Sequence, residues 1–124
     1  MISIKSYFLM LAVCVGKKFD ESQRVQIYRG FRKCNLSKEQ VKVFANPRLS
    51  AVKMSHIRHG LENGLSIEDM KFCARSDLSS YIVSIMVEGI RMGFSREKIL
   101  AFARNDISDF EAYEIFIEKS NEKR

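Results

Sequence analysis

His56 and His59 stand three residues apart, a spacing that puts two imidazoles on one face of a helix, where they can share a metal ion. No Cys, Asp or Glu completes a ligand set around them at a recognisable spacing, so the pair predicts no metal site. The cysteines, Cys14, Cys34 and Cys73, have no CxxC or zinc-type spacing, and their odd number argues for a reducing compartment over a disulfide framework. The serines recur as helix caps, which accounts for them without nucleophilic chemistry. No Ser/His/Asp or Cys/His set can be assembled, and no Gly-rich phosphate loop is present. The expectation is therefore a protein that is not an enzyme and needs no cofactor.

The basic residues are what remains. Arg29 and Arg58 are 29 residues apart, as are Lys42 and Lys71, and Arg75 and Arg104. With Arg32 and Lys33 they are the candidate contacts to a partner or to nucleic acid, because equivalent positions in a repeat align as stripes able to track a phosphate backbone. The plain alternative is that long basic side chains cover apolar surface and keep the chain soluble. The charge is uneven along the chain. Residues 1–60 hold 12 Lys+Arg and 3 Asp+Glu, a net of +9, whereas residues 61–124 hold 9 and 12, a net of −3. Such asymmetry favours an anionic partner.

The elements that carry these residues repeat every 29 positions, with no gap. Ser37, Ser66 and Ser95 keep the step, as do Ala45, Ala74 and Ala103, and Ser50, Ser79 and Ser108. A period of this size signals stacked supersecondary units. Ser37, Ser66 and Ser95 each read as the N-cap of a short helix of about 9 residues, with Glu39, Glu68 and Glu97 favouring its positive end. Gln40 adds a capping box to Ser37, and Leu36, Leu65 and Phe94 supply hydrophobic staples to Val41, Met70 and Ile99. The short helix ends near Ala45, Ala74 and Ala103. A turn follows, and Ser50, Ser79 and Ser108 cap a longer helix of about 12 residues. Apolar residues recur in it at helical spacing: Val52, Met54, Ile57, Leu61, then Tyr81, Val83, Met86, Ile90. The long helices stop at Asn35, Gly64 and Gly93, residue types that tolerate a left-handed C′ position. Gly60 and Gly89, inside the long helix, predict close approach of a neighbouring helix in preference to a frayed last turn.

These signals predict one all-α domain, a right-handed or near-linear array of helical hairpins resembling an α-solenoid. Residues 1–19 form a divergent N-terminal cap, 20–49, 50–78 and 79–107 are hairpin repeats, and 108–124 is a C-terminal capping helix. In this register Arg29 and Arg58 give way to Val87 and Phe116, so Phe116 or Tyr113 is expected at an exposed apolar end that suits a protein partner or self-association. Tyr7 to Val15 is an apolar run of nine, too short to span a bilayer. As a signal-peptide core it has a thin basic flank and a poor cleavage site at Val13-Cys14-Val15. It is expected to form a buried first helix over residues 8–16, with a strand as the alternative. Residues 118–124 are expected to fray.

Met54-Ser-His-Ile57-Arg58-His-Gly60-Leu61-Glu62-Asn-Gly64-Leu65 resembles the "QMxxIRxGLExGL" helical repeats of Gram-positive bacteria, their phages and their conjugative elements. Phe44-Ala45-Asn46-Pro47 is similar to the "YAxP" segment between the helices of those repeats. The likeness is good over residues 36–79 and weaker over 80–108. Arg29-Gly30-Phe31-Arg32 departs from the pattern, and residues 1–19 match nothing in it. The resemblance implies a mobile-element setting in the bacterial cytoplasm and a non-catalytic binding role. A protein partner is the first expectation, one form of it being inhibition of a host nucleoprotein machine such as a CRISPR effector. Direct nucleic-acid binding through the basic half is the second. No membrane association is expected, and self-association would use the terminal helices.

Overall fold

The structure, a computed structural model, describes residues 4–122. Within them the chain is all-helical, with no strand. In order, the helices are α1 Ile4–Cys14, α2 Glu21–Arg32, α3 Lys38–Phe44, α4 Ala51–Glu62, α5 Ile67–Cys73, α6 Ser80–Arg91, α7 Arg96–Leu100 and α8 Asp109–Ser120. Long and short helices alternate from α2 onward.

From α2 onward each start is set by a side chain. Ser37, Ser50, Ser66, Ser79, Ser95 and Ser108 all sit in extended backbone and accept a hydrogen bond from the amide three residues on, at 3.1–3.2 Å. The predicted capping box at Ser37 and Gln40 is formed. Two further boxes escaped the sequence reading, Asp20 with Gln23 and Ser108 with Glu111. The ends follow the expected chemistry. Asn35, Gly64 and Gly93 take φ of 54°, 87° and 88°. Beside the two glycines, the Gly64 amide donates to the Leu61 carbonyl and the Leu65 amide to Gly60, and Gly93 and Phe94 repeat this with Ile90 and Gly89. The short helices end at Ala45 and Ala74, whose φ, ψ of −76°, 68° and −79°, 68° form an inverse γ-turn closed by Asn46 N–H to Phe44 C=O and Arg75 N–H to Cys73 C=O. The last short helix stops earlier than predicted, at Leu100. There the amides of Ala101 and Phe102 turn to carbonyls three residues back, tightening the final turn.

The repeat is not gapless. Asp20, the cap of α2, lies 30 residues before Ser50, and five residues separate α2 from α3 where four separate α4 from α5 and α6 from α7. The bond that Leu65 makes to Gly60, and Phe94 to Gly89, runs from Leu36 to Gly30, one residue further. A Cβ on Gly30 would meet Val41, as one on Gly60 would meet Met70 and one on Gly89 Ile99. Gly30 is thus the partner of Gly60, and Ile27 of Ile57. Arg29 corresponds to His59, and Arg58 to Tyr28; the equivalence of Arg29 with Arg58 does not hold. The extra residue sits in the α2–α3 connection, where the αL position at Asn35 and the invariant start at Ser37 absorb it. The same shift explains why Arg29-Gly30-Phe31-Arg32 departs from the repeat pattern at a 29-residue step.

Packing follows the alternation. α2 lies on α4, α4 on α6 and α6 on α8, while α1 lies on α3 and α3 on α5. Ile27, Met54, Ile57, Val83 and Met86 fill the core from the long helices. Val41, Phe44, Met70, Cys73 and Ile99 fill it from the short ones, and Phe102 from the turn just after α7. The glycines allow close contact, as predicted: Val87 Cγ1 lies 3.1 Å from where a Gly60 Cβ would stand. Val52 and Tyr81, two of the apolar residues at helical spacing, are on the surface.

α1 departs furthest from expectation. It begins at Ile4, not near Phe8, and only one face is covered. Val13 is buried, Leu9, Met10 and Cys14 are half-buried, and Ile4, Tyr7, Phe8, Leu11 and Val15 face outward. At the other end α8 is helical through Ser120; of the segment expected to fray, residues 123–124 lie outside the described residues. No helix among the described residues is long and apolar enough to cross a membrane.

Candidate interaction surface

The basic candidates fall into three groups. Arg29, Arg32 and Lys33 are exposed in and just after the last turn of α2, where cations suit the helix's negative end. Lys42 and Lys71 are exposed and line one shallow groove between α3 and α5 with Glu39, Val43 and Ile67; Lys71 also lies 3.7 Å from Glu68. The others are held by their own chain. Arg75 donates from Nε and Nη2 to Asp77 at 2.8 and 2.7 Å, and Arg104 repeats this with Asp106 at 2.9 and 2.7 Å. These bidentate pairs close the turns between hairpins and hold both carboxyls below the usual aspartate range.

Arg58 is 7 % exposed. Its Nε donates to Gln26 Oε1 at 3.1 Å, Nη1 to Cys34 Sγ at 3.3 Å, and Nη1 lies 3.5 Å from Glu62 Oε2. Nη2 is 3.2 Å from His59 Nε2. This guanidinium joins α4 to α2 and to the α2–α3 connection. The one-residue shift places it there, turned toward the preceding hairpin, and so the predicted Arg29–Arg58 stripe does not form. A different basic cluster does. Lys5, Arg32 and Lys38 line a cleft where α1, the end of α2 and the start of α3 meet. Sequence reading missed Lys5 and Lys38, since three elements without a shared period bring them together.

His56 is half-buried and His59 exposed. Burial, then the neighbouring His59, lowers the pKa of His56. No group of three or more His, Cys, Asp or Glu converges among the described residues. All three cysteines are free; burial raises each thiol, Cys73 to about 12.

The apolar surface is more distinctive. Tyr81, Asp109, Phe110 and Tyr113 line an open depression on α6 and α8. Phe110 is 68 % exposed and Tyr113 45 %. Ile117, one and two turns along from them, extends the same face. Phe116, the other aromatic expected at this end, is instead buried between Phe94 and Phe102, with ring centroids 5.6 Å from each. A signal for Phe110 was present: Val52, Tyr81 and Phe110 keep the 29-residue step, and all three are on the surface. Asp109 anchors the start of α8 by accepting from Ser79 Oγ at 2.6 Å.

α1 and α8 thus carry the widest uncovered apolar faces, one in the basic half of the chain and one in the acidic half. Comparison with models of protein families, with curated proteins and with solved structures finds no match to this chain.

Proposed function

We propose that this protein is a non-catalytic interaction module, an α-solenoid-like array of helical hairpins that docks on another protein through its terminal helices. The supporting observation is the exposed Tyr81–Phe110–Tyr113 face on a helix that its own array anchors firmly. Aromatic side chains offer large contact area at small entropy cost and dominate binding energy where they are desolvated. In a mobile-element setting the partner belongs to the host, and a nucleoprotein complex such as a CRISPR effector suits the basic half. The test is capture from a bacterial lysate with tagged wild type, Phe110→Lys and Tyr113→Lys, read by quantitative mass spectrometry. Proteins retained by the wild type and lost from both variants are expected. Equal capture by all three would end this reading of the surface.

The second reading is direct nucleic-acid binding, favoured by the Lys5–Arg32–Lys38 cleft and by exposed Arg29, Lys33 and Lys42. Fluorescence anisotropy with duplex DNA, single-stranded DNA and RNA across a salt series separates the two. A steep salt slope that flattens in Arg32→Glu marks several phosphate contacts; no binding at low salt removes this reading.

A further inference from the structure

α1 is mostly apolar, with Lys5 and Ser6 its only polar side chains, yet the described residues cover only one side of it. Helices of that kind are stable when the rest of their surface is buried. Its outward face is continuous: Ile4, Tyr7, Phe8, Leu11 and Val15 follow one another at helical spacing, with Phe8 62 % and Val15 72 % exposed. The segment that carries it is basic: residues 1–19 contain Lys5, Lys17 and Lys18 and no acid, Lys17 also donating to the Ala45 carbonyl at 3.3 Å.

α8 presents the complementary surface. Phe110, Tyr113 and Ile117 form its outward apolar strip, and Glu111, Glu114 and Glu118 are exposed alongside. Glu114 and Glu118 make no ion pair among the described residues, and Lys119 is engaged with Glu122 at 3.1 Å. Among the described residues, the face therefore carries unpaired negative charge at Glu114 and Glu118.

We propose that the α8 face of one molecule docks on the α1 face of a second copy, head to tail. The proposal rests on the interaction reading above and goes beyond it, adding a second copy of the chain to the host protein as a partner of these surfaces. Charge decides the pairing. Two α1 faces meeting across a two-fold axis would oppose lysines to lysines, and two α8 faces would oppose glutamates to glutamates. The α1–α8 pairing matches the basic N-terminal segment to Glu114 and Glu118 while covering both apolar strips. Such a contact is heterologous, so each molecule keeps one face open after pairing and the assembly extends beyond two copies.

Sedimentation velocity on the full chain, over a concentration series to about 1 mM, tests it. The wild type is expected to grow in mass past the dimer as concentration rises, and to shrink again at high salt as the charge pairing is screened. Phe8→Glu blocks the α1 face and Phe110→Lys the α8 face, so each variant alone is expected to be monomeric. Mixed in equal amounts they are expected to form a one-to-one dimer and nothing larger, because the intact α8 face of one meets the intact α1 face of the other. Circular dichroism confirms that both variants keep the wild-type fold; a variant that does not is replaced by Leu11→Glu or Tyr113→Lys. A wild type that stays monomeric throughout overturns the proposal, as does a mixture that stays monomeric. Self-association of Phe110→Lys alone overturns it in favour of an α1–α1 contact. Loss of a captured host protein in Phe110→Lys, with a monomeric wild type, overturns the head-to-tail contact and leaves the interaction reading standing.

Discussion

Single side chains here close turns and join helices, and at His56, Asp77 and Asp106 the surroundings shift the protonation equilibrium. His56 is the clearest case for measurement. Its folded pKa lies below its ordinary 6.5 because burial and the nearby His59 disfavour the imidazolium. The unfolded chain therefore binds a proton at His56 more readily than the folded one, and stability rises with pH across that interval. His56 costs nothing well above pH 6.5 and destabilises progressively as the pH falls from 6.5 toward the folded value. In His56→Gln that acid-side loss should be absent. Thermal melts of both proteins from neutral to mildly acidic pH check this: the melting temperatures converge or cross on acidification, and parallel curves would contradict it. Asp77 and Asp106 act in the opposite sense. Their carboxyls are held low by Arg75 and Arg104, so what they contribute is present above the unfolded aspartate value and fades only as the pH drops through the lower folded one.

Between elements, the decisive contacts are those of glycines with the following short helix. At Gly30 a Cβ would stand 2.9 Å from Phe44 Cζ and 3.2 Å from Val41 Cγ2, both fully buried side chains with no room to retreat. Gly30→Ala gains about 1 kcal/mol of helix propensity but forces overpacking that costs about 1–3 kcal/mol. A net loss is expected in urea denaturation, seen as a lower midpoint at unchanged slope. The same substitution at Gly64 has a different cause, since nothing lies within 4 Å and the cost comes from φ +87° alone. A Gly30→Ala protein more stable than the wild type would show that α2 and α3 do not approach as closely as described.

For the whole molecule, neighbour-to-neighbour packing implies graded stability. α4 is packed by α2, α3, α5 and α6, whereas α1 is held on one side only. Native-state hydrogen exchange should show the greatest protection in α4 and α6 and the least in α1. Head-to-tail association should raise protection selectively in α1 and α8 as concentration increases. Uniform protection across all helices would mean the chain unfolds as a single block, and the graded picture would fail.

What the sequence by itself determined is what depends on neighbours within one turn. The serine caps, the αL residues Asn35, Gly64 and Gly93, and the alternation of long and short helices were legible because each rests on a side chain meeting backbone a few residues away. The glycine contacts were legible for the same reason of period. Tertiary structure decided the rest. One additional residue between α2 and α3 broke the 29-residue register, turned Arg58 inward to Gln26 and Cys34, and left Arg29 outside. A strict period cannot reveal that slip, because Ile27, Arg29 and Ser37 still find plausible counterparts on either side of it. Nor could spacing tell which apolar residues stay uncovered. Phe116 is buried and Phe110 exposed because Phe94 and Phe102 close over one side of α8, while on the other the described residues leave an open depression beside Tyr81.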